Sequence, residues 1–167
     1  GTSNTLAFTV ILPPTTSSLV PSSGPVGTVV TVNGANLLGS TNVSFNGADA
    51  TPNTITAGSL KATVPANATS GVVPVTNPAG PGGALTFKVT PKIVSLSTTT
   101  GIRGSTVVLT GTTFTSATSV KFNGVSAAYA VDNDSQITAT VPATATTGNV
   151  QVTTPSGASN TLAYTVV

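Results

Sequence analysis

The sequence predicts an all-β protein made of two tandem β-sandwiches, preceded by an N-terminal extra β-strand. Three observations predict it. The 167 residues are rich in Thr, Val, Ser, Asn and Gly, and only 5% are charged, against about 25% in an average soluble protein. Thr and Val suit a pleated, half-buried surface. Apolar residues alternate with polar ones in short runs bounded by Gly, Pro and Asn, as in a strand with one buried face. Finally, Gly24 and Gly27 recur as Gly101 and Gly104, a shift of 101 − 24 = 77, and the rest of the chain follows in that register without a gap.

The first element is the segment 3–11, Ser-Asn-Thr-Leu-Ala-Phe-Thr-Val-Ile, which matches seven of the nine residues of 159–167. It reads as an orphan copy of a repeat's final strand. Leu6, Phe8, Val10 and Leu12 alternate as its apolar face, and Pro13-Pro14 end it. Residues 1–13 are therefore an orphan strand and linker. Residues 14–90 form the first repeat, with core positions Val30/Val32, Val43/Phe45, Leu60/Ala62/Val64, Val73/Val75 and Leu85/Phe87/Val89. Residues 91–167 form the second, with Val107/Leu109, Val120/Phe122, Ile137/Ala139/Val141, Val150/Val152 and Leu162/Tyr164/Val166. Asn46-Gly47 and Asn123-Gly124 tolerate φ > 0 and read as hairpin turns. Pro65 and Pro142 stand just past a strand, where a missing N–H costs little.

Several of these residues also form a known pattern. Gly-x-x-Gly-(Ser/Thr) at 24–28 and 101–105 leads to a Val-rich strand ending at Gly34 or Gly111, then to Val-x-Phe-Asn-Gly. Val-Pro-Ala at 64–66 and 141–143, Gly71 or Gly148, and Pro-x-Gly at 78–80 and 155–157 follow. This resembles the IPT/TIG module, twice over and across residues 14–167. The resemblance implies tandem immunoglobulin-like sandwiches of the early set. Such modules occur in plexin-type receptors, Rel-type transcription factors, secreted starch-acting enzymes and arrays on microbial surface proteins. A chain without Cys and poor in charge fits the microbial arrays best. The expected role is a module of a surface adhesin, stalk or filament. The alternative is an accessory polysaccharide-binding or spacer module of a secreted glycoside hydrolase.

Composition narrows the chemistry. With no His, Cys or Glu, the usual nucleophile–base pairs cannot be built, so neither enzymatic activity nor a cofactor is expected. The only acids are Asp49, Asp132 and Asp134. Asp132-Asn133-Asp134 is a weak Ca²⁺ candidate, because calcium wants six to eight oxygens, and a solvated turn is the simpler reading. Three sequons make Asn42, Asn67 and Asn133 candidate glycosylation sites. Most aromatics fall on the core phase of strands, and Phe114 aligns with Leu37. Tyr129 aligns with Pro52, off the shared pattern, so a sugar platform has little to build on. The cations Lys61, Lys88, Lys92, Arg103 and Lys121 are scattered, which argues against nucleic acid and against anionic membrane surfaces. Isolated Lys beside strands reads as protection of sheet edges.

No run approaches the ~18 apolar residues of a membrane span, so no membrane insertion is expected. The chain starts at Gly1 without an apolar leader, as a mature form or an excised piece would, and the composition points outside the cell. The expected partner is the protein itself, or a cell-surface polysaccharide. An apolar strand left alone is a liability. Segment 3–11 therefore either belongs to a longer array or is donated to a neighbour, and head-to-tail donation builds a filament.

Overall fold

A computed structural model describes residues 10–167. The first unit contains β1 (Thr15–Val20), β2 (Ser23–Gly24), β3 (Val29–Ala35), β4 (Asn42–Phe45), β5 (Ala48–Ala50), β6 (Ser59–Thr63), β7 (Gly71–Asn77) and β8 (Gly80–Val89). The second contains β9 (Lys92–Leu96), β10 (Thr100–Gly101), β11 (Thr106–Thr112), β12 (Ser119–Phe122), β13 (Val125–Ser126), β14 (Tyr129–Asn133), β15 (Gln136–Thr140), β16 (Gly148–Thr154), β17 (Gly157–Ala158) and β18 (Leu162–Val166). In the first unit a sheet ordered β1-β3-β6 faces one ordered β2-β8-β7-β4-β5. In the second, β14-β15-β11-β9 faces β10-β18-β16-β12-β13, with β17 paired to β16.

Each sandwich closes on its own apolar core, because period-two alternation sends every second side chain inward from both sheets. Phe45 meets Phe87 edge-to-face at 5.5 Å in one core, and Phe122 meets Tyr164 at 5.2 Å in the other. Leu37 and Phe114 fill the same place in the two units, each fully buried. The 77-residue register extends to pairing: Thr16 opposes Gly34 and Leu19 opposes Val32, as Ile93 opposes Gly111 and Leu96 opposes Leu109. At Asn46-Gly47 φ is 51° and 93°, and at Asn123-Gly124 it is 44° and 84°. Those two pairs close the β4–β5 and β12–β13 hairpins, as their composition predicts.

Two differences in strand pairing separate the units. Tyr129 opens β14, which covers the edge of β15. In the first unit Pro52 lacks the donor, Thr54 turns to φ 49°, and among the described residues only the bridge Asn53↔Lys61 remains. The other difference is the return strand. β8 runs ten residues unbroken through Gly82-Gly83, whereas Ser159-Asn160 interrupt the second unit's path between β17 and β18.

The expected N-terminal strand lies largely outside the described residues, and Leu6 and Phe8 with it. Val10, Ile11 and Leu12 are described, belong to no strand, and are 66%, 52% and 54% exposed. No helix among the described residues is long and apolar enough to cross a membrane.

Candidate functional site

The polar candidates resolve into local structure. Asp134 accepts hydrogen bonds from the Thr115 hydroxyl at 2.7 Å, the Thr115 N–H at 3.3 Å and the Thr113 N–H at 3.2 Å. Partial burial works to raise its pKa, but the bonds from Thr115, Thr113 and Phe114 outweigh it and hold the carboxyl below its ordinary value. Asp132 instead accepts from the Thr138 hydroxyl at 2.7 Å and from Gln136 at 3.3 Å. The two carboxylates thus serve different donors. Among the described residues no group of three or more His, Cys, Asp or Glu side chains could hold a metal ion. Asp49, fully exposed, is held below its ordinary value by hydrogen bonds from Asn42 and then Ser44.

Of the sequon asparagines, Asn42 donates to Asp49 at 2.9 Å. Asn133 accepts from the Ser135 N–H and hydroxyl. Asn67 stands exposed in the turn after Pro65. The described aromatics offer no stacking platform: five are buried, and half-buried Tyr129 packs on the second core while its hydroxyl donates to the Ala117 carbonyl at 3.0 Å.

Apolar surface concentrates at the N-terminal end of the first unit. Val10, Ile11, Leu12, Leu38 and Pro78 line an open groove of about 420 Å³. The linker is fastened there by two amides. Asn77 Nδ2 donates to the Leu12 carbonyl at 2.8 Å, and Asn36 Nδ2 donates to the Pro13 carbonyl at 3.2 Å. The 77-residue shift carries Asn36, Leu38, Ala57 and Asn77 to Thr113, Thr115, Asp134 and Thr154. The corresponding end of the second unit is therefore polar. That polar end faces the first unit, where the Ser70 and Ser156 hydroxyls are hydrogen-bonded at 2.9 Å. At the far end of the second unit Ile102 and Val167 are exposed, at 63% and 70%.

The final strand of each unit sits in a slot with its own demands. Ser70 Oγ accepts the Val89 N–H at 2.8 Å, and Thr147 Oγ1 accepts the Val166 N–H at 3.0 Å. In the second unit, Ser159 Oγ accepts the Val152 N–H, while Asn160 accepts from the Ile93 N–H and donates to the Ile93 carbonyl, both at 2.9 Å. Tyr164 fills the middle of the strand with its hydroxyl buried and unpartnered. The first unit cannot accept that arrangement. A Cβ at Gly82 would lie 1.9 Å from the Pro14 carbonyl oxygen, and one at Gly83, where φ is 84°, would lie 2.5 Å from Thr16 Oγ1. Composition and spacing did not reveal this difference. Its sequence signal is the departure of Gly82-Gly83 from Ser159-Asn160 in an otherwise matching register.

The fold and these surfaces define the class: tandem immunoglobulin-like sandwiches that differ from one another at their ends and in their final-strand slots. The IPT/TIG domain model matches residues 14–89 and again 91–166, and the chain belongs to that family. A search of curated proteins finds no match. Similar solved structures include the Bacteroides ovatus surface glycan-binding protein SGBP-B in complex with a mixed-linkage heptasaccharide, at 18% identity and TM-score 0.41, covering 92% of this chain and 45% of that one. Another is the Prevotella bryantii surface glycan-binding protein, at 21% identity and TM-score 0.43, covering 86% and 38%. The plexin A4 extracellular region matches at 20% identity and TM-score 0.43, covering 92% and 18%. The chain thus spans less than half the length of these structures, and likeness at this level concerns the fold alone.

Proposed function

We propose that the chain is a non-enzymatic structural module outside the cell, a repeat of a microbial surface adhesin, stalk or filament, joined to neighbouring sandwiches through its ends. In this reading residues 1–13 are the joining strand and linker, and 14–90 and 91–167 are two rigid spacer units. The observation that carries it is the apolar end: Val10, Ile11, Leu12 and Leu38 stand exposed around one groove, directly after a segment that copies a final strand. Contiguous exposed apolar surface of this kind marks an interaction site, and the strand's Leu6, Phe8 and Val10 would supply the buried face once paired.

Deleting residues 1–12 should abolish self-association while leaving both sandwiches folded. Sedimentation velocity and electron microscopy read the first, and circular dichroism the second. Assembly unchanged by the deletion would sink the reading. The alternative polysaccharide-binding module draws no support from the described aromatics. Retardation in a gel containing mixed-linkage glucan would nevertheless favour it over an assembly role.

A further inference from the structure

The orphan strand and the second unit's final-strand slot fit one another residue by residue. We infer that residues 3–10 of one copy occupy the β18 slot of the second unit of another copy, displacing the strand already there. This deepens the assembly reading above and rests on it. Aligned by 162 − 6 = 156, Ser3, Asn4, Leu6 and Val10 fall on Ser159, Asn160, Leu162 and Val166. Ser3 and Asn4 carry the groups that the slot engages through Val152 and Ile93. Val10 presents the N–H that Thr147 receives from Val166.

The same residues are wrong for the first unit's slot. A side chain at the position of Gly82 or Gly83 meets the Pro14 carbonyl or Thr16 at less than 3 Å, closer than packed atoms approach. The donated strand therefore distinguishes two slots built on one fold.

The one core difference favours the incoming strand. Phe8 takes the place of Tyr164, whose hydroxyl is buried without a partner. An unsatisfied buried hydroxyl is costly, and the same ring without it is not. Phe8 thus offsets part of the advantage that a tethered strand has over one arriving from solution.

The donor must come from another molecule. Leu12 is pinned by Asn77 at the outer end of the first unit. The ten residues of β8 span roughly 30 Å before the second unit begins, and the five residue-to-residue steps from Ala7 to Leu12 reach at most ~18 Å.

The chain has no cysteine, so single cysteines report the contact cleanly. Ala163 is the cross-strand partner of Asn149, and in the first unit Thr86 is the partner of Val72. Position 7 aligns with Ala163. In a glutathione buffer, whose oxidised disulfide accepts the two electrons and keeps the exchange reversible, mixing full-length Ala7→Cys with full-length Asn149→Cys should give an intermolecular disulfide, and mixing it with Val72→Cys should not. Adding Tyr164→Phe to the Asn149→Cys partner should lower the equilibrium yield about tenfold, because it relieves the resident strand's buried hydroxyl. No cross-link to position 149, or equal cross-linking to 72 and 149, overturns the inference. If such a chain still assembles through residues 1–12, the slot is wrong and the assembly role stands. If deletion of 1–12 leaves assembly unchanged, the assembly role itself falls.

Discussion

Gly34 and Gly111 sit where two backbones come closest. A Cβ would lie 1.9 Å from the Thr15 carbonyl oxygen at Gly34, and 2.0 Å from the Lys92 carbonyl oxygen at Gly111. Neither obstacle can rotate away, because each carbonyl belongs to a paired strand. Gly34→Ala should therefore separate β1 from β3 and destabilise the first unit by about 1–3 kcal/mol. Gly47→Ala is the matched comparison: its Cβ would meet nothing within 4 Å, but φ is 93°, so only backbone strain of about 1–2 kcal/mol applies. Thermal unfolding of the two variants checks the order. A Gly34→Ala protein that melts like the parent would contradict the close approach.

Among the elements, the edges carry the contrast between the units. In the second unit β14 covers β15, and the Thr140 N–H donates to the Ala128 carbonyl at 2.9 Å. The equivalent Thr63 ends β6, on whose outer edge the only cross-strand bridge among the described residues is Asn53↔Lys61. Pro52 is the reason, since it stands where Tyr129 begins β14. The edge is blunted instead by exposed Lys61, a common guard against edge-to-edge pairing. Amide exchange followed by NMR should find Thr63 at least tenfold faster than Thr140. Equal protection would mean that residues 51–55 pair as β14 does.

At the scale of the whole molecule, five cations and three acids spread over 167 residues leave electrostatics a small part in stability. Changing salt from ~0.05 to ~0.5 M should move the melting temperature by no more than about 2 °C, since scattered surface charges contribute little. The pH response follows from the acids. Asp49 and Asp134 are both held below their ordinary pKa. Their stabilising effect is present above the unfolded value of about 3.9 and lost as pH falls through the lower folded values. With no His or Cys, stability should be flat from about pH 5 to 9 and decline only below about pH 4. Calorimetry across that range checks it, and a decline starting near pH 6 would be the contrary result.

The sequence by itself determined the all-β class, the 77-residue duplication, the hairpin turns at Asn46-Gly47 and Asn123-Gly124, and most of the core. Those properties are written along the chain: a strand's inward face is a period of two, and a duplicated domain is a shift of register. Tertiary structure decided what depends on residues far apart in sequence. Ser70 meets Ser156 across 86 positions, Leu12 is held by Asn77, and Asp134 caps the Thr113–Thr115 turn. Tyr129, which the alternation left outside the core pattern, packs against it once β14 covers β15. The same holds for the two final-strand slots. Gly82-Gly83 and Ser159-Asn160 look like ordinary divergence between repeats until Pro14 and Thr16 are seen pressing on one pair and Ile93 bonding to the other. Steric fit and hydrogen-bond partnership exist only between elements, so only the folded chain shows how the two slots differ.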